Sequence, residues 1–395
     1  MKYFPRTNLK RAKALSRKRT KRYVLGCGIL LILFAAGFLL ARGVERLPEQ
    51  PKQPVGQHRP ATVPPKEFSI VASGDVMLGR RVADAMRKQG VNYPFAQVAS
   101  YLRDADLAFG NLESPLSLQG TPLPGKGIWF RGDPKGAEAL REAGYSVMSV
   151  ANNHTLDYDT PAFLDTLTVL REQGINPIGG GKDPAEATRP AVKEVHGRKV
   201  AFLAATEMAD IFWSWKYRRT LEVKADQPGV VKLDELQLVD AVKALKGKAD
   251  IIVVSLHWGT EFSDYPTEEQ RRIAHSLVDA GANLIVGHHP HCLQGVEVYR
   301  GSLIAYSLGN FVYDKQTRPK SQEGLLLKVF FNERSISRAV LYPVLIRDEQ
   351  PWIVQGNDAS RILQRTAALS KELDTSLVVR DGVGVLNISE ARQGV

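Results

Sequence analysis

Apolar and polar positions divide the chain into three regimes. Tyr23 to Ala41 is an almost unbroken apolar run with no charged residue. Its 19 residues are just long enough, as a helix, to span a bilayer. Residues 42–67 have no apolar period. Pro48, Pro51, Pro54, Pro60, Pro64 and Pro65 recur there among Gln, Lys and Glu, which predicts an extended tether. From Phe68 onward short apolar runs alternate with longer amphipathic stretches. The short runs predict strands over 68–72, 105–109, 146–150, 200–204, 251–256, 284–286 and 302–306. The stretches between them predict helices over 82–88, 134–143, 161–173, 233–245 and 267–280. Gly144 and Gly174 close two of these, and Thr267 with Gln270 forms a capping box on another. Strand turns to helix and back repeatedly, the signature of an α/β fold. Residues 325–346 read as strands, 358–373 as a helix, and the end of the chain as loosely ordered.

Composition adds little to this picture, but charge adds more. The net charge is +11, and residues 1–22 alone hold ten Lys or Arg and no acid, leaving about +1 for the rest. The basicity thus belongs to a tail, not to a nucleic-acid-binding face. A basic tail before an apolar span predicts a single-pass anchor with a cytoplasmic N-terminus, the tail on anionic headgroups and the bulk of the chain outside the cell. A cleaved leader is the alternative, but its best small-residue site, Ala35-Ala36-Gly37, lies inside the apolar run. Cys27 and Cys292 form no disulfide framework. The expected division is a basic tail (1–22), a transmembrane helix (23–41), a Pro-rich tether (42–67), a main domain (68–346) and a partly helical extension (347–395).

The candidate chemistry collects just after the strands. Gly287-His288-His289-Pro290-His291 holds three of the eight histidines behind a buried apolar run, where open α/β sheets place ligands. Pro290 is expected to keep His289 extended and the loop stiff. Asp75, Asn111 with Glu113, Asn153 with His154, and His257 follow other strands. One such residue alone is ordinarily a cap or a turn; five sets at the same sheet end point to one crevice. Mixed oxygen and nitrogen donors suit Mn, Zn or Fe better than Ca or Mg, as one or two ions.

Six stretches carry a family resemblance: Gly74-Asp75-Val76-Met77-Leu78-Gly79, Gly110-Asn111-Leu112-Glu113-Ser114-Pro115, Ala151 to Tyr158, His257-Trp258-Gly259-Thr260-Glu261, the histidine cluster, and Ser307-Leu308-Gly309-Asn310-Phe311. In this order, over about residues 68–315, they resemble the CapA family of bacterial capsule and poly-γ-glutamate synthesis proteins, which is related to calcineurin-like metallophosphoesterases. That kinship implies a four-layer α/β/β/α sandwich. It implies Asp75, Glu113, Asn153, His257, His289 and His291 as metal ligands and His154 as a proton donor to a leaving group. Metallophosphoesterases carry a His two residues after the first Asp, and here that position is Met77, whose thioether is a poor ligand for Mn or Mg. Arg80, Lys126 and Arg131 are candidates to grip an anionic substrate, Asn111 and Asn310 to contact it, and Asp157 and Glu261 to support the ligands, Glu261 by orienting His257.

The resemblance implies a role in making or exporting an anionic surface polymer, with membrane synthase subunits as partners. Two readings remain open, a metal-dependent hydrolase of a phosphoester or γ-glutamyl amide and a non-catalytic accessory subunit; a general anchored metallophosphoesterase is a third. Residues 207–220 mix Phe212, Trp213, Trp215 and Tyr217 with Lys216, Arg218 and Arg219, as expected of a lid, a polyanion-holding surface or simple packing.

Overall fold

Neighbouring residues of one strand point to opposite sides, and the molecule uses this to build two packing zones. Ile251 and Val253 face one hydrophobic cluster while Ile252, Val254 and Leu256 face another; Leu284 and Val286 part from Ile285 in the same way, and Leu303 and Ala305 from Ile304. These strands are buried on both faces, which is why their sequences read as continuous apolar runs. The computed structural model describes residues 67–211, 219–314 and 316–388. The predicted tail, transmembrane helix and nearly all of the tether lie outside the described residues. Among the described residues no helix is long and apolar enough to cross a membrane.

The main strands are β1 (Phe68–Val76), β2 (Leu107–Leu112), β3 (Tyr145–Ser149), β4 (Asn176–Ile178), β5 (Ala191–Val195), β6 (Arg198–Thr206), β7 (Ile251–His257) and β8 (Leu284–His288). They continue as β9 (Val296–Tyr299), β10 (Ser302–Ala305), β11 (Asn310–Val312), β12 (Glu323–Asn332), β13 (Ser335–Arg347), β14 (Gln350–Ile353), β15 (Val378–Arg380) and β16 (Val383–Asn387). A ten-stranded sheet runs β15-β16-β13-β12-β1-β2-β3-β4, with β11 also on β1 and β14 on β13. Its β1 to β4 are parallel, and the strands from β12 onward are antiparallel. A six-stranded sheet runs β9-β10-β8-β7-β6-β5, parallel in the middle with an antiparallel strand at each edge. The alternation of elements thus gives a mixed α/β fold with two main sheets.

The sheets share the first cluster, where the rings of Phe109 and Phe202 lie 5.8 Å apart. The longer helices are α1 (Arg80–Gln89), α2 (Gly136–Ala143), α3 (Asp159–Glu172), α4 (Glu235–Leu245), α5 (Glu268–Ala280) and α6 (Gly356–Lys371). The second cluster joins the six-stranded sheet to α4 and α5 through Leu238, Val242, Ile273, Ala274 and Leu277. The predicted capping box at Thr267 and Gln270 is formed with both of its hydrogen bonds, and Gly144 ends α2 in a left-handed conformation at φ 116°. Residues beyond 347 add β14, α6, β15 and β16 to the ten-stranded sheet and its packing.

Two local expectations are corrected. The first strand does not stop at residue 72: β1 runs on through Ser73-Gly74-Asp75 to Val76 because β2 and β11 pair with Asp75 and Val76 beyond a register shift. Gly74 permits the close approach, since a Cβ there would lie 1.9 Å from the Gly309 carbonyl oxygen. His289 is not extended; its φ is 97° and that of His291 is 52°. The His289 N–H turns to Asp75 Oδ2 at 3.3 Å, and Phe262 N–H donates to the Pro290 carbonyl at 2.7 Å. These bonds overcome the usual preference of a residue before proline, at a strain of about 1–3 kcal/mol.

Candidate metal centre

Strand register brings the candidates together. Asp75 on β1 is level with Asn111 on β2 and Asn310 on β11, and His257 on β7 is level with His288 on β8. Gly287 allows the histidine strand to lie close to its neighbour, since a Cβ there would meet the Tyr306 carbonyl at 1.9 Å. Asp75, Asn111, Glu113, Asn153, His257, His289, His291 and Asn310 are all buried.

Two groups of donors meet at Glu113. Donor atoms of Asp75, Glu113 and His291 lie within 4.8 Å of one another. His291 Nδ1 is 3.5 Å from Asp75 Oδ2, and its Nε2 is 3.6 Å from Glu113 Oε1. On the other side, His257 Nε2 lies 2.9 Å from Asn153 Oδ1, 3.1 Å from His289 Nδ1 and 4.0 Å from Glu113 Oε1. Among the described residues neither oxygen of the fully buried Glu113 carboxylate has a hydrogen-bond partner. Burying a carboxylate this way costs several kcal/mol unless a cation answers it. An orphaned carboxylate among carboxamide and imidazole donors fits a divalent cation.

The protonation states agree. Burial alone would raise Asp75, but His288 and His291 beside it hold its carboxyl well below the usual range. Burial pushes Glu113 well above its ordinary value, with the Asp75 charge adding to it. Burial, reinforced by neighbouring histidines, keeps His257 well below its ordinary value and His289 down at about 3, so both present the neutral imidazole that ligates metals. His291 also loses charge to burial, but Glu113 and Asp75 outweigh this and lift it to about 10. In a chain without a cation, His291 is thus the charge that answers the two carboxylates.

Most of the supporting residues are engaged by other groups of the protein. Asn111 Nδ2 donates to Asp75 Oδ1 at 2.8 Å, and Asn310 Oδ1 lies 2.9 Å from His291 Nδ1. Both are buried and brace the donors. Glu261 is exposed and gathers with His289 and His291, not with His257. Lys126 is buried in an ion pair with Asp157 and also donates to the Asn153 carbonyl, so it is not offered to an anion in solvent. Asp157 accepts from Phe130 N–H at 2.6 Å and lies 2.7 Å from His154 Nδ1. Burial, with Lys126 assisting, holds His154 down at about 4, and the Phe130 ring stacks on it at 4.0 Å. Arg131 braces a loop through the Gln119 and Gly120 carbonyls and lies over Tyr158 at 3.5 Å. Arg80 is half-exposed, 3.0 Å from Asp314 and over the Phe130 ring at 5.7 Å.

Several neighbours escaped the sequence reading. His288, beside His257, puts Nδ1 3.4 Å from Asp75 Oδ1. Asn152 ties Asn111 Oδ1 (3.1 Å) and the Leu112 carbonyl (2.8 Å) to the backbone of His154 (3.0 Å). The adjacent pairs His288-His289 and Asn152-Asn153 were the available signal, since one member of each pair supports while the other faces the centre. Tyr313, whose ring lies 5.4 Å from that of His291, and Arg318, 3.8 Å over Phe262, had none. Met77 is buried in the core, its sulfur accepting from Gly79 N–H at 3.0 Å. Residues 212–218, most of the aromatic and basic stretch, lie outside the described residues.

The chain is 31% identical over 358 residues to the capsule biosynthesis protein CapA of Bacillus anthracis, covering 89% of this chain and 82% of that one. It is 30% identical to the PGA biosynthesis protein CapA of Bacillus subtilis strain 168, covering 78% and 79%. It is 29% identical to a probable polyglutamine synthesis accessory protein of Mycobacterium tuberculosis, covering 72% and 75%. Among solved structures it is similar to a hypothetical protein from Thermus thermophilus, at 17% identity and a TM-score of 0.44, covering 70% of this chain and 98% of that one. The family model described as bacterial capsule synthesis protein PGA_cap matches residues 69–315, the stretch that supplies every donor of the cluster, and the chain belongs to that family.

Proposed function

We propose that this protein is a membrane-anchored, extracytoplasmic component of capsule or poly-γ-glutamate synthesis or export, with a divalent-cation centre of hydrolase type. The observation that carries the reading is Glu113, buried between two groups of donors with neither carboxylate oxygen hydrogen-bonded among the described residues. The names of the relatives support the process. The expected four-layer sandwich is part of the proposal, supported by the two clusters on opposite faces of the six-stranded sheet. The anchor and its topology rest on the apolar run Tyr23 to Ala41 and the basic tail.

Asp75, Glu113, Asn153, His257, His289 and His291 would hold one or two ions of Mn, Zn or Fe, which supply an acidified water and stabilise negative charge on a phosphoryl or acyl group. The chain's own residues do the rest. With Nδ1–H directed at Asp157, His154 keeps its Nε2 lone pair at neutral pH, collects a proton as an anionic substrate arrives, and returns it to the leaving group. Phe130 excludes water from one face of that ring. Arg80, on the half-exposed rim, meets the anion.

A specific observation favours the accessory reading: Met77 stands where the related enzymes carry a ligand, and its sulfur bonds to its own loop. One experiment separates the two. Full-length protein is purified in detergent without chelator, beside Asp75→Ala and His291→Ala, and metal content is measured together with polymer output in cells. Bound metal lost in both variants, with loss of polymer and retained fold, supports the enzyme. Polymer output unchanged in His291→Ala sinks it, and absence of metal from the wild type sinks the cation centre.

A further inference from the structure

The loop after β7 is held down over the histidine cluster at many points. Trp258 N–H donates to the His288 carbonyl at 3.1 Å, Gly259 N–H to Glu207 Oε2 at 2.8 Å, and Phe262 N–H to the Pro290 carbonyl at 2.7 Å. Gln294 Nε2 donates to the Ser263 carbonyl at 3.0 Å, and Asp264 is paired with Lys320 and Arg365. Phe262 has φ 64°, an uncommon conformation for a large residue, and its ring faces His291 at 6.2 Å. All this fixes the backbone on both sides of Glu261.

What the loop carries there is a carboxylate with no hydrogen bond or ion pair among the described residues. One of its oxygens lies within 4.8 Å of ring nitrogens of both His289 and His291. Those imidazoles belong to different donor groups, His291 with Asp75 and Glu113, His289 with His257 and Asn153. A carboxylate that only decorated the surface would turn to the solvent; this one is held at the open side where the two groups meet. Met77, which the family resemblance sets at a ligand position, is turned into the core with its sulfur on Gly79 N–H.

We propose that Glu261 is a metal ligand, closing the cation centre from the solvent side and making up for the donor that Met77 does not provide. The inference rests on the cation-centre reading of the site. A hard carboxylate oxygen added to the imidazoles of His289 and His291 shifts the preference toward Mn and Fe.

The test is Mn(II) binding to the full chain in detergent, followed by electron paramagnetic resonance, for wild type, Glu261→Gln and Glu261→Asp. Each is measured at low salt and at about 0.5 M salt, where through-space attraction between exposed charges is screened. The expected result is that Glu261→Gln weakens at least one class of bound Mn(II) by about tenfold or more at both salt concentrations, and that Glu261→Asp lies between. The bound-ion spectrum should change with it, and the melting temperature of the metal-free variant should match wild type. An isotherm and spectrum equal to wild type would overturn the proposal. So would a weakening that disappears at high salt, which would make Glu261 only a nearby charge. In both cases wild type still binds Mn(II), and the cation centre stands. If wild type binds none, centre and ligand fall together.

Discussion

The molecule buries two glutamates among histidines, and they are treated in opposite ways. Glu297 on β9 is complete: its Oε1 is 2.8 Å from His275 Nε2, its Oε2 accepts from Tyr306 Oη at 2.7 Å, and the His275 ring stacks on Tyr299 at 3.8 Å. Glu113 lies as deep, yet among the described residues neither of its oxygens has a hydrogen bond, the nearest imidazole nitrogen being His291 Nε2 at 3.6 Å. The first arrangement fixes a strand edge to a helix. The second costs stability, a cost that the proposed cation would offset. Buried acids beside histidines therefore do not by themselves mark a functional centre; the unmet hydrogen bonds do.

The contrast is broken most severely by unmaking a complete pair inside the site. Lys126→Met leaves Asp157 buried without its cation and should lose about 3–5 kcal/mol in denaturant unfolding. A loss well under 1 kcal/mol would mean that this pair is not structural. Glu113→Gln comes next. It should weaken metal binding by about 100-fold or more, yet leave the metal-free protein as stable as wild type or more so. Chelator should then lower the melting temperature of wild type alone; for metal at 100 times its Kd the difference is about 2.7 kcal/mol. Equal destabilisation of both proteins by the substitution itself would erase the distinction drawn here. Glu297→Ala should do the reverse, costing about 1–3 kcal/mol and leaving metal uptake unchanged.

The smallest effect is on pH. Asp106 is a third carboxylate, on the exposed side of the molecule. Burial raises it, but Ser69 N–H at 2.8 Å and His196 outweigh this and hold it below its ordinary value. The unfolded chain therefore takes up the proton first. The stabilisation is fully present above about pH 4 and is lost as pH falls through the folded value. The stability gap between wild type and Asp106→Asn should shrink from pH 6 to pH 3, and a constant gap would contradict it.

Much of this was legible in the sequence. Local periodicity located the strands that carry Asp75, Asn111, His257 and the histidine cluster, and the capping box came out as read. What periodicity cannot carry is pairing. An apolar run such as Ile251 to Leu256 is the same whether its strand joins one large sheet or a second one, because the partner lies far off in sequence. The same limit hid the continuation of β1 through Asp75, which depends on β11, and the turn of His289 into positive φ, which depends on Asp75 and Phe262. Asn111 and Asn310 have the chemistry of substrate contacts; that they are buried against Asp75 and His291 depends on strand pairing that the sequence does not display. Glu261 lies four residues from His257 in the chain, yet its loop carries it to the other histidines.

The first strand of the fold has consequences for how the protein is made. Phe68 pairs with Phe331 and Asp75 with Asn310, so β1 receives one of its two sides only when the chain has been synthesised almost to Asn332. Long-range pairing of this kind is slow to form and leaves a strand edge exposed meanwhile. A message cut short of that point would yield a polypeptide bearing all the cation-binding side chains and no frame to hold Asp75 against them, a product fit for proteolysis and not for function.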